Sequence, residues 1–401
     1  GAEYYNTIFY IVESPHESGH IWVGSDDGLV HVSRDNGETW QEVSPPHPEE
    51  AMINNIEVSP HQPGTIYLAV TGYKLNDFAP YIYVTRDHGE SWTRLDRGLP
   101  GDTFVRVVRE DPAIAGVLYA GTEGGVFVSF DAGGEWQLLE LNMPPVPITD
   151  LSIRQDTLVA ATQGRGFWAL DDLFVVRSAA RGVESDAPWL IAPPSATILD
   201  NRGWRSEEFE ASNPDRGVPL YYYLPEGAEG PLSLEIRDSD GQLVRSYSSE
   251  ESAFERCQLL NMDPRRPYTP SYPSVEAGLN KWTWDGRRQG FPCVENTTLF
   301  AGLRGPSAPE GEYTAHLAIG DTSVEAPFML RTDPRLEASA DEITVWRAHL
   351  DEAATLLEEV LLGLGQLRVA KGQVEGLMAA YPEREELQRA GQAALDAITA
   401  W

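Results

Sequence analysis

The sequence predicts a mainly β fold in which one four-stranded unit repeats along the first half of the chain. An eight-residue box, Ser/Thr-x-Asp-x-Gly-x-x-Trp, occurs three times with its aspartates 52 and 44 residues apart. Each box follows a Pro-containing turn and short apolar runs bounded by Gly and Asp, which predict strands. The repeat length indicates a repeat architecture. The box residues are Ser33, Asp35, Gly37 and Trp40; Thr85, Asp87, Gly89 and Trp92; and Ser129, Asp131, Gly133 and Trp136.

The box has a structural explanation as a hairpin turn. An Asp side chain hydrogen-bonds to backbone amides further along the turn, and Gly supplies a positive φ. The Trp adds an apolar group that packs beside the hairpin. We therefore interpret these residues as structural rather than catalytic.

Four such units fill residues 1–176. In the third, strands are predicted at 104–108, 117–120, 126–129 and 136–139. A fourth unit begins at 148 and lacks the Gly and Trp of the box, with 173–176 expected as its closing strand. Four-stranded sheets repeated radially are β-propeller blades.

All four blades are expected to be complete, so no split blade remains to close a ring. Either they form a rare four-bladed ring, or they complete a larger one. We favour the larger ring, because exposed edge strands at both ends promote aggregation. The expected partners are then additional propeller blades from an upstream segment or another chain. The chain starts without a methionine and ends within a predicted helix, so we expect it to be a piece of a longer protein.

Three further segments are predicted. Residues 177–214 are assigned to a linker with an ordered edge at 189–191, and residues 215–335 to an immunoglobulin-like β-sandwich, in which Trp282 and Trp284 are expected core residues. Residues 336–401 are expected to form a helical hairpin. Ser339 and Glu342 form a capping box there. An apolar stripe at heptad spacing, from 343 to 378, predicts the seam of the hairpin or its contact with the sandwich, the alternative being a dimerising coiled coil.

These residues resemble the Asp-box (bacterial neuraminidase repeat) propellers, which include sialidases, xyloglucan-cleaving hydrolases, sortilin-type receptors and photosystem assembly factors. The sequence Gly-Arg-Gly-Phe-Trp-Ala-Leu-Asp-Asp at 164–172 resembles the last blade of large secreted bacterial proteins described as glycosyl hydrolases or sortilin-like. The Trp-Asp-Gly at 284–286 and the Pro-x-Gly-x-Tyr at 309–313 resemble the immunoglobulin-like domain of flagellar hook-capping proteins. The resemblance implies a fold and leaves activity open, because such propellers host unrelated functions.

Composition indicates an exported, strongly acidic protein. The formal charge is −32, from 62 acidic and 30 basic residues, with lysine only at 74, 281 and 371. This suits a solvated surface at high salt, as in a halophilic or marine bacterium, and disfavours nucleic-acid binding. No apolar run is long enough to span a membrane. Cys257 and Cys293 are expected to form a disulfide in an extracellular or periplasmic protein, the alternative being two unpaired core thiols.

The candidate functional face carries the connections between second and third strands, together with those between blades. Ligand-binding candidates there are Tyr73, Lys74, Asp77, Gln163 and Arg165, and the loop from 72 to 80 is longer than its counterparts. Asp26, Asp27 and Glu123 are weak catalytic candidates for the paired carboxylates that glycoside hydrolysis needs. Ordinary tight turns explain the same residues. No histidine pair has helical ligand spacing, so no metal site or cofactor is assigned, although calcium suits acidic loops.

The preferred function is binding or scaffolding of a protein, peptide or glycan partner through this loop face. The first alternative is a glycoside hydrolase that acts on a polysaccharide, and the second is a surface or complex-assembly component. No arginine triad or Tyr/Glu pair can be matched to a sialidase, so that activity is not expected.

Overall fold

The structure is a computed structural model that describes residues 6–48, 50–139, 141–180, 182, 186–198, 217–250, 259–261, 272–300 and 302–400. The chain divides into two compact units, residues 1–183 and 184–401. Each unit is described by itself below.

The first unit contains four small antiparallel sheets, one after another along the chain. The first three have four strands each, which neighbour one another in sequence order, and the first strands of successive sheets lie side by side. This is the arrangement of propeller blades, as the sequence predicts. The strands are β1 (Ile8–Glu13), β2 (Ile21–Ser25), β3 (Val30–Ser33) and β4 (Gln41–Glu42) in blade 1; β5 (Met52–Val58), β6 (Ile66–Gly72), β7 (Asp77–Thr85) and β8 (Thr93–Arg94) in blade 2; and β9 (Val105–Glu110), β10 (Leu118–Thr122), β11 (Gly125–Ser129) and β12 (Gln137–Leu138) in blade 3.

Blade 4 has three strands in the described part of the chain, β13 (Ile148–Arg154), β14 (Thr157–Thr162) and β15 (Phe167–Leu170). The predicted closing strand at 173–176 is wrong, because helix α1 (Phe174–Ala179) occupies this segment. The helix brings the Arg177 guanidinium to two carboxylates, with Nε 2.8 Å from Asp111 Oδ2 and Nη1 2.9 Å from Asp156 Oδ1. A short apolar run fits a buried helix as well as a strand, and these ion pairs favour the helix.

Each box forms the turn between the third and fourth strands of its blade. In blade 1, Asp35 Oδ1 accepts hydrogen bonds from the Thr39 amide (2.8 Å) and the Ser33 hydroxyl (2.8 Å). Gly37 has a φ of 90°, which glycine adopts without a steric penalty. The equivalent bonds recur in blades 2 and 3. In blade 2, the Ser91 hydroxyl is the main cause that lowers the pKa of Asp87 to about 2.

Side chains of one blade also hydrogen-bond to backbone groups in the first strand of the next blade. That strand is an edge strand, whose backbone groups on one side have no partner strand. From β5, Asn54 Nδ2 donates to Arg106 O (2.7 Å), and Asn55 Oδ1 accepts from the Val108 amide (2.9 Å). Blades 2 and 3 are therefore joined by hydrogen bonds as well as by apolar contact.

Arg109 on β9 joins the first strands of all four blades. Its guanidinium donates to Glu57 of blade 2 (3.1 Å), to the Tyr10 hydroxyl of blade 1 (3.3 Å), and to Asp150 (2.8 Å) and Leu151 O (2.9 Å) of blade 4. The Arg109 side chain is 16% exposed, and a charge removed from water needs such partners to offset its desolvation.

At the edge that carries the boxes, two histidines connect neighbouring blades. His16 Nε2 lies 2.9 Å from Ser59 O, and His61 Nε2 lies 2.7 Å from Asp111 O. Both histidines belong to the Pro-containing turn between the first and second strands of their blades. Their recurrence in the sequence therefore reflects a structural contact between blades.

The second unit contains two sheets that share one core. The three-stranded sheet has the order β16 (Trp189–Ile191), β18 (Val218–Leu224), β21 (Gly278–Trp284), and the five-stranded sheet the order β17 (Ser195–Ile198), β23 (Thr322–Thr332), β22 (Gly311–Ile319), β19 (Leu232–Asp238), β20 (Leu243–Ser248). Trp284 is fully buried in that core, whereas Trp282 is partly buried and packs edge-on against Tyr247. The segment 177–214, assigned from sequence to a linker, contributes β16 and β17 to these sheets, so the sandwich begins before residue 215.

Two helices follow, α2 (Ala340–Ala380) and α3 (Glu385–Thr399). The expected capping box is present at Ser339 and Glu342. Helix α3 packs on the end of α2 so closely that a Cβ at Gly391 would lie 2.5 Å from Met378 Sδ. The apolar stripe is not a continuous seam, since Trp346 is 58% exposed.

Glu57 should make the fold less stable as pH rises. Burial raises the pKa of Glu57 from 4.5 to about 7, although Arg109 opposes the shift. The folded state therefore binds more protons than the unfolded state between these values, and stability falls as pH rises through that window. Between these pH values the wild type should lose unfolding free energy on the order of 3 kcal/mol, and Glu57→Gln should abolish that loss.

Urea unfolding of both proteins at several pH values from 4.5 to 8 measures this effect. Glu135→Gln, at an exposed glutamate, is the control. A wild-type-minus-Glu57→Gln difference that stays constant across the range would contradict the assignment.

Candidate functional site

The sequence-predicted residues lie in equivalent connections of the four blades. Asp26 and Asp27 follow β2, the segment 73–77 follows β6, Glu123 follows β10, and Gln163 and Arg165 follow β14. Because second strands of successive blades run in the same direction, these connections share one edge of the blades. The boxes lie at the opposite edge.

An aromatic group forms where blades 2 and 3 meet at this edge. The Tyr73 ring stacks on Phe104 with centroids 5.0 Å apart, and Phe78 lies tilted against Phe104 at 6.2 Å. Phe104 is buried at 4%, whereas Phe78 is 45% exposed. The group therefore has a buried base and an exposed aromatic surface.

Arg106 places a charge on this group and fixes a carboxylate beside it. Its guanidinium carbon lies 4.9 Å from the Phe104 ring centroid and 5.4 Å from that of Tyr73, within cation–π range. Arg106 Nε and Nη2 lie 2.8 Å and 2.7 Å from Glu123 Oε1. Both contacts fall on Oε1, and the Glu123 side chain stays 30% exposed. We call Tyr73, Phe78, Phe104, Arg106 and Glu123 the loop-face cluster.

Asp77 holds the long loop rather than presenting a free carboxylate. It accepts hydrogen bonds from the Tyr81 hydroxyl (2.7 Å) and the Ala79 amide (3.0 Å). The Arg94 guanidinium covers the Tyr81 ring at 4.5 Å. Burial and the bond to Asp77 raise the pKa of Tyr81 to about 12, so Tyr81 stays a donor. These contacts fix the loop that carries Tyr73 and Phe78.

The two aspartates of blade 1 both accept hydrogen bonds within that blade. Asp26 Oδ1 accepts from the Thr7 amide at 2.8 Å, and Asp27 accepts from the Ser25 hydroxyl. Glu123 is on blade 3 and pairs with Arg106, and no hydrogen bond or ion pair among the described residues joins it to Asp26 or Asp27. The turn explanation accounts for Asp27, whereas Asp26 joins the turn to the residue before β1.

The remaining candidates are exposed. Lys74 lies in the 3₁₀ turn Tyr73–Leu75, and the Gln163 and Arg165 side chains are exposed in the turn of blade 4. Their backbones are fixed by bonds from the Gln163 amide to Pro147 O (2.9 Å) and from the Arg165 amide to Thr162 Oγ1 (3.1 Å). The structure brings Tyr73 and Glu123 into one cluster and does not bring Lys74, Gln163 or Arg165 into it.

Sequence reasoning missed Phe78, Phe104 and Arg106. Phe104 and Arg106 lie within the strand predicted at 104–108, where the sequence pattern indicates only a strand. The detectable signal was Arg106 itself, a charged residue between apolar strand positions, which must find a partner if it points toward a neighbouring blade.

The described residues can also be searched for metal ligands, disulfides and membrane-spanning helices. They contain no group of three or more His, Cys, Asp or Glu side chains placed to hold a metal ion. Cys293 is disulfide-bonded, whereas Cys257, its expected partner, lies outside the described residues, so that pairing stays a prediction. Among the described helices, none is both long and apolar enough to cross a membrane.

Comparisons with known proteins relate the chain to propellers. No protein-family model matches it. Over 84 residues it is 36% identical to an oligoxyloglucan-reducing end-specific xyloglucanase of Emericella nidulans, which is 20% of this chain and 9% of that protein. Similar solved structures include YCF48 bound to D1 peptide (21% identity, TM-score 0.33, 41% of this chain and 52% of that one) and the GH74 xyloglucanase from Xanthomonas campestris (14%, 0.34, 60% and 36%). The chain thus spans less than two thirds of each of these proteins, and such TM-scores carry nothing about activity.

The Arg106–Glu123 pair should be energetically coupled. Both side chains are largely withdrawn from water, so loss of one leaves the other without its partner. A double-mutant cycle with Arg106→Met and Glu123→Gln should give a coupling of about 0.5–3 kcal/mol in urea unfolding. The exposed pair Arg97 and Glu135 serves as the matched control, with a coupling below about 1 kcal/mol. Strict additivity at Arg106 and Glu123 would show that the pair does not hold the cluster.

Proposed function

We propose that the propeller half is a binding module that takes a protein, peptide or glycan partner on the loop-face cluster. The observation that supports this proposal most directly is an exposed aromatic surface beside a carboxylate that Arg106 holds in place. Blades 2 and 3 both contribute residues to it. A rigid aromatic group binds with little loss of side-chain entropy, and one fixed polar group orients the ligand.

Among these partners, a neutral glycan suits the cluster best. The C–H faces of sugar rings pack on aromatic rings, and sugar hydroxyls donate to a carboxylate such as Glu123. The formal charge of −32 disfavours a polyanionic ligand. The local identity with a xyloglucanase supports the same class.

A glycoside hydrolase is the second candidate, and this local identity is the observation that favours it. Hydrolysis requires an acid and a base or nucleophile on opposite sides of the scissile bond. The candidates Asp26 and Asp27 accept hydrogen bonds from Thr7 and Ser25. The described carboxyls with a raised pKa, Glu57 and Asp156, lie outside the loop-face cluster. Binding without cleavage is therefore the first proposal.

We also propose that the protein acts outside the cytoplasm, in the periplasm or extracellular space. The disulfide at Cys293 supports an oxidising compartment. The acidic composition supports a surface adapted to salt. Mature protein recovered from a cytoplasmic fraction with reduced thiols would contradict this proposal.

Binding can be tested by calorimetry with neutral β-glucan and xyloglucan oligosaccharides. We expect Phe78→Ala and Glu123→Gln each to weaken binding, by about five- to thirtyfold, which is typical for loss of a central contact residue. Phe300→Ala, at a 93% exposed phenylalanine in the second unit, is the matched control and should bind as wild type. Binding of peptides but no oligosaccharide would reject the glycan class, and equal affinity in all variants would reject the cluster.

Cleavage is tested separately by release of reducing ends from the same oligosaccharides. We expect none, because the cluster lacks a second converging carboxylate. If cleavage occurs, Asp26→Asn and Glu123→Gln decide the assignment. Loss of turnover in both supports the hydrolase, and unchanged turnover in both removes these residues from it.

A further inference from the structure

The first blade exposes an apolar surface that is buried in every other blade. Ile8 and Ile11 on β1 are 63% and 65% exposed. By strand register, Ile11 pairs with Val23 of its second strand as Ile56 pairs with Leu68 and Val108 with Ala120. The equivalent residues in the other blades, all at most 1% exposed, are Ile53 and Ile56, Val105 and Val108, and Ile148 and Leu151.

In the other blades, the preceding blade covers this surface. A Cβ at Gly24 of β2 would lie 2.4 Å from Ile53 Cγ2 and 3.2 Å from Ile56 Cδ1. Ile53 and Ile56 therefore pack directly against the second strand of blade 1. Val105 and Val108 share a core in the same way with Tyr67 and other residues of blade 2.

The box tryptophan of blade 1 also lacks the contact that its counterparts make. Trp92 Nε1 donates to Val43 O of blade 1 at 2.8 Å, and Trp136 Nε1 donates to Leu95 O of blade 2 at 2.8 Å. In both cases the acceptor follows the fourth strand of the preceding blade. Trp40 donates instead to Gly37 O of its own turn at 3.1 Å and is 44% exposed.

The box glycines show the same difference. A Cβ at Gly89 would meet Val43 Cβ at 2.7 Å, and one at Gly133 would meet Leu95 Cδ1 at 2.6 Å. At Gly37, the nearest atom within reach is 3.8 Å away and belongs to Trp40. In blade 1, the outer face of β1, the box tryptophan and the box glycine therefore all lack contact with a preceding blade.

We propose that this surface of blade 1, formed by Ile8, Ile11, Gly37 and Trp40, receives a further Asp-box blade that precedes β1. The occupant has a complete fourth strand that ends in an apolar residue, whose carbonyl accepts from Trp40 Nε1. In each described pair the covering blade is the one immediately before in sequence, and the same order assigns the occupant.

A second copy of the chain fits less well. Its free flank is blade 4, where the described residues include no fourth strand and where Leu173 and Phe174 lead into helix α1. Such a flank offers Trp40 no carbonyl at the end of a fourth strand.

The test joins a copy of residues 52–104, which include all of blade 2 and the connection to blade 3, directly before Ile8. We expect the added blade to slow amide hydrogen exchange in β1. Trp40→Ala should lower the urea midpoint of the fused protein as much as Trp136→Ala does, while leaving the midpoint of the unfused chain nearly unchanged. The control fusion carries Leu95→Asp in the added copy only and should lose both effects.

Unchanged exchange in β1, or an equally small Trp40→Ala effect with and without the added blade, would overturn the proposal. Sedimentation of the unfused chain provides a second measurement. A dimer abolished by Trp40→Ala would assign the surface to a second copy instead, and a monomer agrees with the proposal. Peptide mapping of the protein from its source should find a further Ser/Thr-x-Asp-x-Gly-x-x-Trp box ahead of residue 1, and its absence from a full map would also overturn the proposal.

Discussion

The propeller half depends on one constraint. No blade can by itself pair the backbone edge of its first strand or bury that strand's apolar face. That strand has a free backbone edge and an apolar face, and both are costly in water. Asn54 and Asn55 of blade 2 hydrogen-bond to the first strand of blade 3, and Trp92 and Trp136 each donate to a carbonyl of the preceding blade. Arg109 connects more than one neighbouring pair of blades, because its guanidinium contacts the first strands of the three other blades.

The same constraint produces the candidate site. Arg106 and Phe104 lie at the start of β9, where the next blade packs against the long loop of blade 2. The site is therefore a by-product of the junction between blades, with Asn54 fixing the backbone of Arg106. The loop held by the hydrogen bond between Asp77 and Tyr81 provides the other two aromatic residues, Tyr73 and Phe78. The arrangement explains how an exposed aromatic surface stays ordered without a dedicated domain.

The second unit follows different rules, because its core lies between two sheets rather than between repeats. Trp284 is enclosed by side chains of both sheets. Strands from residues 189–198 belong to it although they precede the expected start of the sandwich. Short strands far apart in sequence give a weak local signal, since their pairing depends on distant partners.

The sequence alone determined the repeat, the turn chemistry of the box and the assignment of strands to blades 1 to 3. These are local properties, because Asp–amide bonds, glycine conformation and apolar alternation act over a few residues. It could not decide between strand and helix at 173–176, where the ion pairs of Arg177 with Asp111 and Asp156 come from distant parts of the chain. Nor could it assemble Phe78, Phe104, Arg106 and Glu123 into one cluster. Only the packing of one blade on the next brings such residues together, since that contact joins positions far apart in sequence.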